Sequence, residues 1–373
     1  MKILQIISSK DLGGGTQEYT RILCSGFQSR GHAVKVVCRP GSLVEAYREE
    51  GFDVYPIELR NKSMAIKELV HLMATHHFDV VHTHNRDADM VGLICAKKKN
   101  VPLIVSTIHD FLNQNELGGR KMNFPLWKYN RILKKIPHKL IAISNAIETN
   151  ILDELKISPD RVATIYNGTD LSRFPDNVDI EGKKKELGLP SNLPIVGVIG
   201  RLITQKGHRY FLESIPIILK KNKNILFLIV GKGNLKEEMK SLAKNLEISQ
   251  YVRFIGYQRD VNTIIKLMDV VVVPSVFEAF GRVITESMAC SKPVIATKVG
   301  GLAEIVVDGV TGVLVPPKNA QSIANSVLDL LQDKMKAERL GKEGRKRVEE
   351  KFNGVLFVEN TEKLLKELLL NNK

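Results

Sequence analysis

Short runs of apolar and β-branched residues recur along the whole chain, and stretches long enough for helices separate them. Runs without interspersed polar residues are typical of strands that are buried on both faces of a parallel sheet. In the first half these runs span residues 3–7, 34–38, 54–57, 80–84, 103–109, 140–144 and 162–166. In the second half they span residues 195–199, 225–230, 252–255, 270–273, 294–296 and 313–315. The pattern predicts an α/β protein in which each half forms a doubly wound parallel sheet.

The length of the chain favours two domains. A single hydrophobic core rarely grows beyond about 250–300 residues, and this chain has 373. The polar stretch 176–185 is typical of a connection between domains. We therefore predict an N-terminal domain over residues 1–175 and a C-terminal domain over residues 176–354, facing each other across a cleft. The last apolar-periodic stretch, at about 355–373, is predicted to be a helix that packs back on the first domain.

Composition argues against several classes of protein. No apolar stretch approaches the roughly 20 residues of a membrane span, and the first residues lack a signal-peptide pattern, so we expect a cytoplasmic protein. The cysteines are widely scattered, which predicts neither disulfides nor a zinc knuckle. The net charge of +14 is spread over both halves. This distribution favours polyanionic partners in general over nucleic acid.

The segment 117–147 contains no acidic residue and mixes basic with apolar side chains. Its basic residues are Arg120, Lys121, Lys128, Arg131, Lys134, Lys135 and Lys139, and its apolar ones include Phe124, Leu126, Trp127, Ile132, Leu133 and Ile136. This mixture suits a peripheral contact with an anionic bilayer, at the inner face of the plasma membrane. It is equally typical of a surface helix whose apolar side packs on its own domain, and both interpretations stay open.

Two glutamates, Glu278 and Glu286, follow the apolar run 270–273. We expect Phe280 and Gly281 to end the loop after that strand, so that Glu278 lies in the loop and Glu286 in the next helix. Ionised carboxylates only accept hydrogen bonds, so a pair at the carboxyl end of a strand suits the hydroxyls of a sugar or ribose. Alternatively, Glu286 is a solvated helix residue and Glu278 interacts with the helix dipole.

A basic loop opens the second half of the chain. Gly200 and Arg201 follow the apolar run 195–199, and Lys206 comes five residues after Arg201. A guanidinium and an ammonium on one loop can hold both phosphates of a diphosphate and stabilise that group as it departs. Gly231, at the end of the next predicted strand, would let the backbone approach a base or ribose. The alternative is a solvated basic loop.

The first half contains a glycine loop and three histidines. Gly13, Gly14 and Gly15 lead into a predicted helix and would let the backbone approach a ligand, although a plain turn is equally possible. His82 and His84 share one face of a predicted strand, and His109 follows the next strand. These histidines suit either sugar hydroxyls or, less readily, a metal ion. Asp87 and Asp89 are expected to cap the following helix, and Glu304 to cap the one after Gly300 and Gly301.

Several of these residues occur together in one known family. The set comprises Gly200-Arg201, Lys206-Gly207, Pro274-Ser275, Glu278 with Glu286, Met288-Ala289-Cys290, Pro293 to Thr297 and Gly300-Gly301 with Glu304. It resembles the retaining, family-four glycosyltransferases of the GT-B fold, which has two Rossmann-like domains. The similarity extends over nearly the full length, since the glycine loop, His82, His84 and His109 occur in the expected order.

The resemblance implies a metal-independent, cofactor-free enzyme that transfers a hexose from a nucleoside-diphosphate sugar to a glycan or lipid-linked acceptor. Arg201 and Lys206 would hold the diphosphate, Glu286 the ribose, Glu278 the hexose, and His109 the reacting face of the sugar. The catalytic set is then Arg201, Lys206, Glu278 and His109. The donor site would be formed by Gly14, Gly15, Gly200, Gly231, Glu278, Phe280, Gly281 and Glu286. The acceptor site would be formed by Gly13, His84 and His109.

The sequence departs from the family pattern at Ala279, Arg282 and the pair Ser291-Lys292. An arginine at position 282, near the donor site, leaves open whether an acidic sugar is preferred. An epimerase or hydrolase of sugar nucleotides on the same architecture is the alternative enzyme. A non-catalytic membrane-binding protein and a histidine-metal hydrolase are further alternatives.

Overall fold

The computed structural model describes residues 1–112 and 126–371. The chain forms two compact units. The first comprises Met1–Gly168 together with Gly354–Lys373, and the second comprises Thr169–Asn353. The second unit thus begins at Thr169, whereas the sequence alone suggested a boundary after residue 175.

Hydrogen bonds explain why the residues after Gly168 belong to the second unit. The backbone N–H of Thr169 donates to the carbonyl of Phe352 at 2.7 Å, and its hydroxyl donates to that of Thr285 at 2.7 Å. Further on, Asn262 donates to the carbonyl of Pro175 at 3.4 Å. These polar contacts attach residues 169–175 to the second unit.

The first unit contains a seven-stranded sheet of parallel strands in the order β3-β2-β1-β4-β5-β6-β7. Its strands are β1 (Lys2–Ile7), β2 (Ala33–Cys38), β3 (Asp53–Pro56), β4 (Val80–His84), β5 (Leu103–Ile108), β6 (Lys139–Ala142) and β7 (Val162–Thr164). The helices along this part of the chain are α1 (Gly15–Ser29), α2 (Ser42–Glu49), α3 (Lys62–His76), α4 (Arg86–Lys98), α5 (Leu126–Lys135) and α6 (Asn145–Leu155).

The second unit contains a six-stranded parallel sheet in the order β10-β9-β8-β11-β12-β13. Its strands are β8 (Ile195–Ile199), β9 (Leu226–Val230), β10 (Val252–Gly256), β11 (Val270–Val273), β12 (Val294–Thr297) and β13 (Val313–Val315). Its helices are α7 (Ile180–Glu186), α8 (His208–Leu219), α9 (Lys236–Asn245), α10 (Val261–Lys266), α11 (Arg282–Ala289), α12 (Leu302–Ile305), α13 (Ala320–Gln332) and α14 (Lys334–Lys351).

The apolar runs form the central strands, as their composition predicts. Every residue of β9 and of β11 is buried, because helices cover both faces of a parallel sheet. The prediction of two doubly wound parallel sheets is therefore confirmed. No helix in residues 1–112 and 126–371 is long and apolar enough to span a membrane.

The final helix, α15 (Gly354–Asn371), belongs to the first unit and packs on α1. Arg30 at the end of α1 forms an ion pair with Glu359 at 2.6 Å, and the ring of His32 contacts Glu362 at 2.6 Å. At the centre of the contact, a Cβ on Gly26 would lie 2.4 Å from Cγ2 of Val358. The missing side chain of Gly26 therefore allows the two helices to approach.

This contact predicts that Gly26→Ala destabilises the first unit. An alanine would ordinarily stabilise a helix by about 1 kcal/mol relative to glycine, but here its methyl group overlaps the stiff, β-branched Val358. We expect a net loss of about 1–3 kcal/mol in the free energy of unfolding, measured with urea. The double variant Gly26→Ala/Val358→Ala should recover part of that loss. A more stable Gly26→Ala protein would contradict the packing described.

Candidate functional site

The strand order of the second sheet determines where the loops with the predicted site residues lie. The strand order reverses at β8, which has β9 on one side and β11 on the other. In doubly wound sheets, ligands bind beyond the carboxyl ends of the strands at such a reversal. The loop after β8 contains Arg201 and Lys206, and the loop after β11 contains Glu278.

An ion pair connects these two loops. Nζ of Lys206 lies 2.5 Å from Oε2 of Glu278, and the hydroxyl of Ser275 donates to the same oxygen at 3.1 Å. Both charged side chains retain some exposure, at 22% for Lys206 and 12% for Glu278. A partly desolvated pair of this kind remains accessible to a charged ligand.

The backbone of the two loops is also joined. The N–H of Val276 donates to the carbonyl of Gln205 at 2.8 Å. Gly207 has a φ of +66°, and a Cβ at this position would lie 1.9 Å from the carbonyl oxygen of Pro274. A glycine is needed here both for the backbone conformation and for the close approach. The hydroxyl of Thr297, at the end of β12, donates to the carbonyl of Ser275 at 2.5 Å and ties in a third strand end.

The two glutamates occupy the elements that the sequence predicts. Glu278 lies in the loop, and Glu286 lies on α11, whose N-cap residue is Gly281 with a φ of +105°. Glu286 is 7% exposed, and its Oε1 lies 2.8 Å from Nε of Arg282, four residues earlier. Phe280 is buried and packs edge-on against Phe352, with ring centroids 6.0 Å apart.

The loop after β8 lies close to the end of β9. Gly231 has a φ of +137°, and a Cβ there would lie 1.9 Å from the carbonyl oxygen of Gly200. In the structure, therefore, Gly231 allows two strand-exit loops to approach each other. The side chain of Arg201 is exposed at this edge.

His208 is a residue that the sequence reasoning missed. It is 2% exposed, and neither ring nitrogen has a hydrogen-bond partner within residues 1–112 and 126–371. Burial, with a smaller contribution from Lys206, lowers its pKa to about 4. The side chain is therefore neutral at pH 7. Its position directly after Lys206 and Gly207 was the available signal, but nothing in the sequence indicates burial of this ring.

The departures from the family pattern have different structural settings. Arg282 forms an ion pair with Glu286, so part of its charge is directed at a protein carboxylate. Ala279 is buried. Ser291 has a φ of +55°, a left-handed conformation in which a glycine would be less strained.

In the first sheet, the strand order reverses between β1 and β4. The glycine loop follows β1, and Gly13 has a φ of +96°. Helix α1 begins at Gly15 with Gly14 as its N-cap residue. Asn85, directly after β4, donates to the hydroxyl of Thr16 at 3.2 Å and joins the two strand exits. The glycine loop therefore lies at the position where this fold class binds ligands.

The three histidines lie together at the same edge. The ring centroids of His82 and His84 are 4.1 Å apart, and those of His84 and His109 are 5.4 Å apart. His82 and His84 are fully buried, whereas His109 is half-buried. The buried ring of His84 is not accessible from solvent, and its Nδ1 lies 3.2 Å from Nε2 of His109.

Burial keeps these rings uncharged. It lowers the pKa of His82 and of His109 to about 3, and it lowers the pKa of His84 well below its usual range. A protonated ring would lose its hydration without a carboxylate to compensate. Within the described parts of the chain, no group of three or more His, Cys, Asp or Glu side chains is arranged to hold a metal ion.

The expectation that Asp89 caps α4 is wrong. Asp89 is fully buried, and its Oδ1 accepts from Thr83 at 2.5 Å and from Ser106 at 2.6 Å. Its Oδ2 accepts from Tyr129 of α5 at 2.8 Å. The helix begins at Arg86, so position 89 faces the sheet rather than the helix terminus. Burial raises the pKa of Asp89 to about 6 despite these hydrogen bonds.

Helix α5 carries the described part of the basic segment, and residues 117–125 lie outside the described ranges. Tyr129 and Leu133 are buried. The exposed residues are Trp127, Lys128, Arg131 and Lys135. At 100° per residue these four fall within an arc of about 100° on one side of the helix. The helix therefore packs on its own unit through one side and presents an aromatic and basic side to solvent.

Two family profiles match the chain. The profile described as "Glycosyltransferase Family 4" matches residues 13–173, and the profile described as "Glycosyl transferases group 1" matches residues 179–347. The two matches follow the division into two units closely and together account for most of the chain.

Curated relatives are similar over nearly their whole length. An Escherichia coli UDP-Gal:alpha-D-GlcNAc-diphosphoundecaprenol alpha-1,3-galactosyltransferase is 26% identical, with 91% of this chain and 90% of that protein covered. The Staphylococcus aureus capsular polysaccharide biosynthesis glycosyltransferase CapM is 27% identical, with 89% of each chain covered.

Solved structures of low sequence identity share the fold. Anabaena HepE in complex with UDP superposes with a TM-score of 0.85 at 23% identity, covering 98% of this chain and all of that one. The same protein in complex with UDP-glucose gives a TM-score of 0.86 at 21% identity, with the same coverage.

The buried carboxyl of Asp89 predicts that the free energy of unfolding depends on pH. Because its pKa is raised from about 3.8 when unfolded to about 6 when folded, its ionisation opposes folding. Protonated Asp89 therefore contributes to the free energy of unfolding. This contribution is complete at a pH below the pKa of Asp89 in the unfolded chain, and it is lost as the pH rises through the pKa of Asp89 in the folded protein. Between pH 5 and pH 7.5 we expect the unfolding free energy to fall by about 1 kcal/mol relative to Asp89→Asn. Urea titrations of both proteins at the two pH values measure this difference, and parallel behaviour would contradict it.

Proposed function

The chain belongs to the glycosyl transferases group 1 family, and we propose that it transfers a hexose from a UDP-sugar to an acceptor hydroxyl with retention of anomeric configuration. The names of its relatives support a role in the synthesis of cell-surface polysaccharide or glycolipid. The alternative of an epimerase or hydrolase receives no support from these relatives. The observation that carries the proposal is the Lys206–Glu278 pair at the reversal of the second sheet.

The Lys206–Glu278 pair suits a site that receives a diphosphate. Without a ligand, Glu278 compensates the charge of Lys206 at 2.5 Å. A donor diphosphate brings more negative charge than one carboxylate, so it competes effectively for the ammonium group. Glu278 is then available to accept hydrogen bonds from the hexose hydroxyls. The exposed guanidinium of Arg201, on the same loop, would bind the diphosphate in bidentate fashion.

We assign the ribose to Glu286. Its carboxylate is nearly buried and held by Arg282 at 2.8 Å. One oxygen is thereby oriented by the protein, and an ionised carboxylate has several lone pairs with which to accept from ribose hydroxyls. Gly200, Gly231, Phe280 and Gly281 complete the donor site in this proposal. The donor role predicted for Gly14 and Gly15 stays a prediction.

We assign acceptor binding to the first unit. Its site comprises Gly13, His109 and, acting through His109, the buried His84. These residues lie at the strand exits where ligands bind in doubly wound sheets. His109 is uncharged at neutral pH, so it would form hydrogen bonds to hydroxyl groups near the reacting carbon.

The proposed reaction proceeds through an oxocarbenium-like sugar. The bond between the anomeric carbon and the diphosphate oxygen breaks, and the acceptor oxygen attacks on the same face. The acceptor proton passes to the departing diphosphate. Arg201 and Lys206 stabilise the negative charge that develops on that group, which is the role of a divalent cation in metal-dependent enzymes.

Removal of the ammonium group should slow the reaction. For Lys206→Ala we expect turnover to fall by about 10² or more, since the group stabilises charge that develops in the transition state. The assay follows galactose or glucose transfer from the UDP-sugar to GlcNAc-diphosphoundecaprenol, the acceptor named for the E. coli relative. Lys240→Ala, at an exposed ion pair on α9, should leave turnover unchanged. A near-normal rate in Lys206→Ala would remove Lys206 from this role.

We further propose that the protein contacts anionic lipid at the inner face of the plasma membrane. The exposed side of α5 combines Trp127, which is 60% exposed, with Lys128, Arg131 and Lys135. An indole at the interface and basic groups facing lipid phosphates are a recognised combination for peripheral binding. This placement would bring the enzyme to a lipid-linked acceptor.

Charge reversal on this side of α5 should weaken membrane binding. We expect Lys128→Glu/Arg131→Glu to bind vesicles of phosphatidylglycerol and phosphatidylcholine at least about tenfold more weakly than wild type, at about 1 kcal/mol per charge. Lys342→Glu/Lys346→Glu makes the same charge change on exposed positions of α14 and should bind as wild type does. Co-sedimentation measures both, and equal loss in the two variants would contradict a specific contact.

A further inference from the structure

Three polar side chains of the first unit form a continuous hydrogen-bonded chain. Oε1 of Gln5 on β1 lies 2.6 Å from Nε2 of His84 on β4. Nδ1 of His84 lies 3.2 Å from Nε2 of His109, which follows β5. The chain is a direct result of strand order, because β4 pairs with β1 on one side and with β5 on the other.

Both imidazoles in this chain are neutral, so each carries a single ring proton. Gln5 and His84 are fully buried, and burial lowers the pKa of His84 and His109 far enough to prevent protonation at neutral pH. Within residues 1–112 and 126–371, no carboxylate forms a hydrogen bond or ion pair with either ring. Only one donor is therefore available from each histidine.

We infer that Gln5 determines the tautomer of His109 and makes its Nδ1 a hydrogen-bond acceptor. A carbonyl oxygen cannot donate, so the proton of His84 lies on Nε2 and its Nδ1 carries a lone pair. His109 must then place its own proton on Nε2, which leaves a lone pair on Nδ1. Gln5 and His84 are thus positioning residues. This inference deepens the proposed function, in which His109 faces the reacting sugar.

The resulting group suits the proposed reaction. A lone pair on Nδ1 accepts from a sugar hydroxyl and discriminates against a substituent that cannot donate, such as fluorine. An uncharged ring also adds no positive charge beside an oxocarbenium-like sugar, whereas an imidazolium would repel it. Nδ1 of His109 has no hydrogen-bond partner among the described residues.

The amide of Gln5 occupies its buried position at an energetic cost. Its Nε2 is buried and has no hydrogen-bond partner within the described residues. A buried polar atom without a partner costs about 1–3 kcal/mol, and an apolar residue at this position of β1 would avoid that cost. The amide is nevertheless present, with its oxygen directed at His84.

Aromatic contacts hold the ring of His109 in place. The ring of Tyr19 meets it edge to face, with centroids 4.7 Å apart and an interplanar angle of 89°. Phe357 of α15 packs against Tyr19 with centroids 4.6 Å apart. The hydroxyl of Tyr19 bonds Thr107 at 3.1 Å and does not contact the Gln5–His84–His109 chain. Tyr19→Phe is therefore a matched control that keeps the ring and removes the hydroxyl.

The first test is the tautomer of His109 in the wild-type protein, which requires no variant. Nitrogen-15 NMR of histidine side chains distinguishes a protonated from an unprotonated ring nitrogen. We expect a neutral His109 with its proton on Nε2 between pH 6 and pH 8. A proton on Nδ1 would mean that the Gln5 amide is reversed, and it would overturn the inference.

Variants test whether Gln5 is the cause. In Gln5→Met, a change of similar size and shape, we expect His109 to populate both tautomers. In Tyr19→Phe the wild-type tautomer should persist. At pH 9, Gln5→Glu again places an acceptor-only oxygen against His84 and should restore the wild-type tautomer. An unchanged tautomer in Gln5→Met would overturn the role of Gln5.

Activity provides a separate readout. The substrates are a UDP-hexose and its monofluoro-deoxy analogues. For the analogue in which fluorine replaces the hydroxyl that His109 binds, the kcat/KM of wild type should be about tenfold lower than for the parent UDP-hexose, which corresponds to one hydrogen bond. Gln5→Met should show a smaller penalty for that analogue, and an equal penalty would contradict the inference. If no UDP-hexose is transferred at all, the proposed function fails, whereas the NMR result still decides the tautomer.

Discussion

The close approach of the loops after β8 and β11 is the constraint on which the second unit depends. Gly207 passes so near the carbonyl of Pro274 that a side chain would overlap it, and this approach brings Lys206 to 2.5 Å from Glu278. Both charges are partly desolvated, so they interact more strongly than a surface pair would. The backbone geometry thereby fixes this ion pair at the ends of two neighbouring strands.

The first unit has the same sheet architecture, but histidines rather than an ion pair lie at its strand exits. Its strand exits hold imidazoles that burial keeps neutral, so these rings interact through hydrogen bonds rather than through charge. The C-terminal helix contributes to this arrangement, because Phe357 supports Tyr19 and Tyr19 supports His109. Residues distant in sequence therefore stabilise the orientation of one ring.

The proposed reaction separates charge. In the proposed transfer, negative charge develops on a diphosphate and positive charge on a sugar. In that proposal, Arg201 and Lys206 are the cations that stabilise the diphosphate, and His109 is an uncharged hydrogen-bond acceptor. An uncharged histidine would add no positive charge near an oxocarbenium-like sugar, and cationic side chains would stabilise a departing diphosphate.

The sequence alone determined the strands, their parallel pairing and the placement of Glu278 in a loop and Glu286 on a helix, because periodicity and glycine positions are local signals. It could not show that Lys206 pairs with Glu278, that Arg282 pairs with Glu286, or that Asp89 is buried rather than capping α4. Those outcomes depend on which elements become neighbours in space. The burial of His208 and the proton positions inferred for His84 and His109 likewise depend on tertiary structure, since desolvation and hydrogen-bond partners exist only once the sheets have formed.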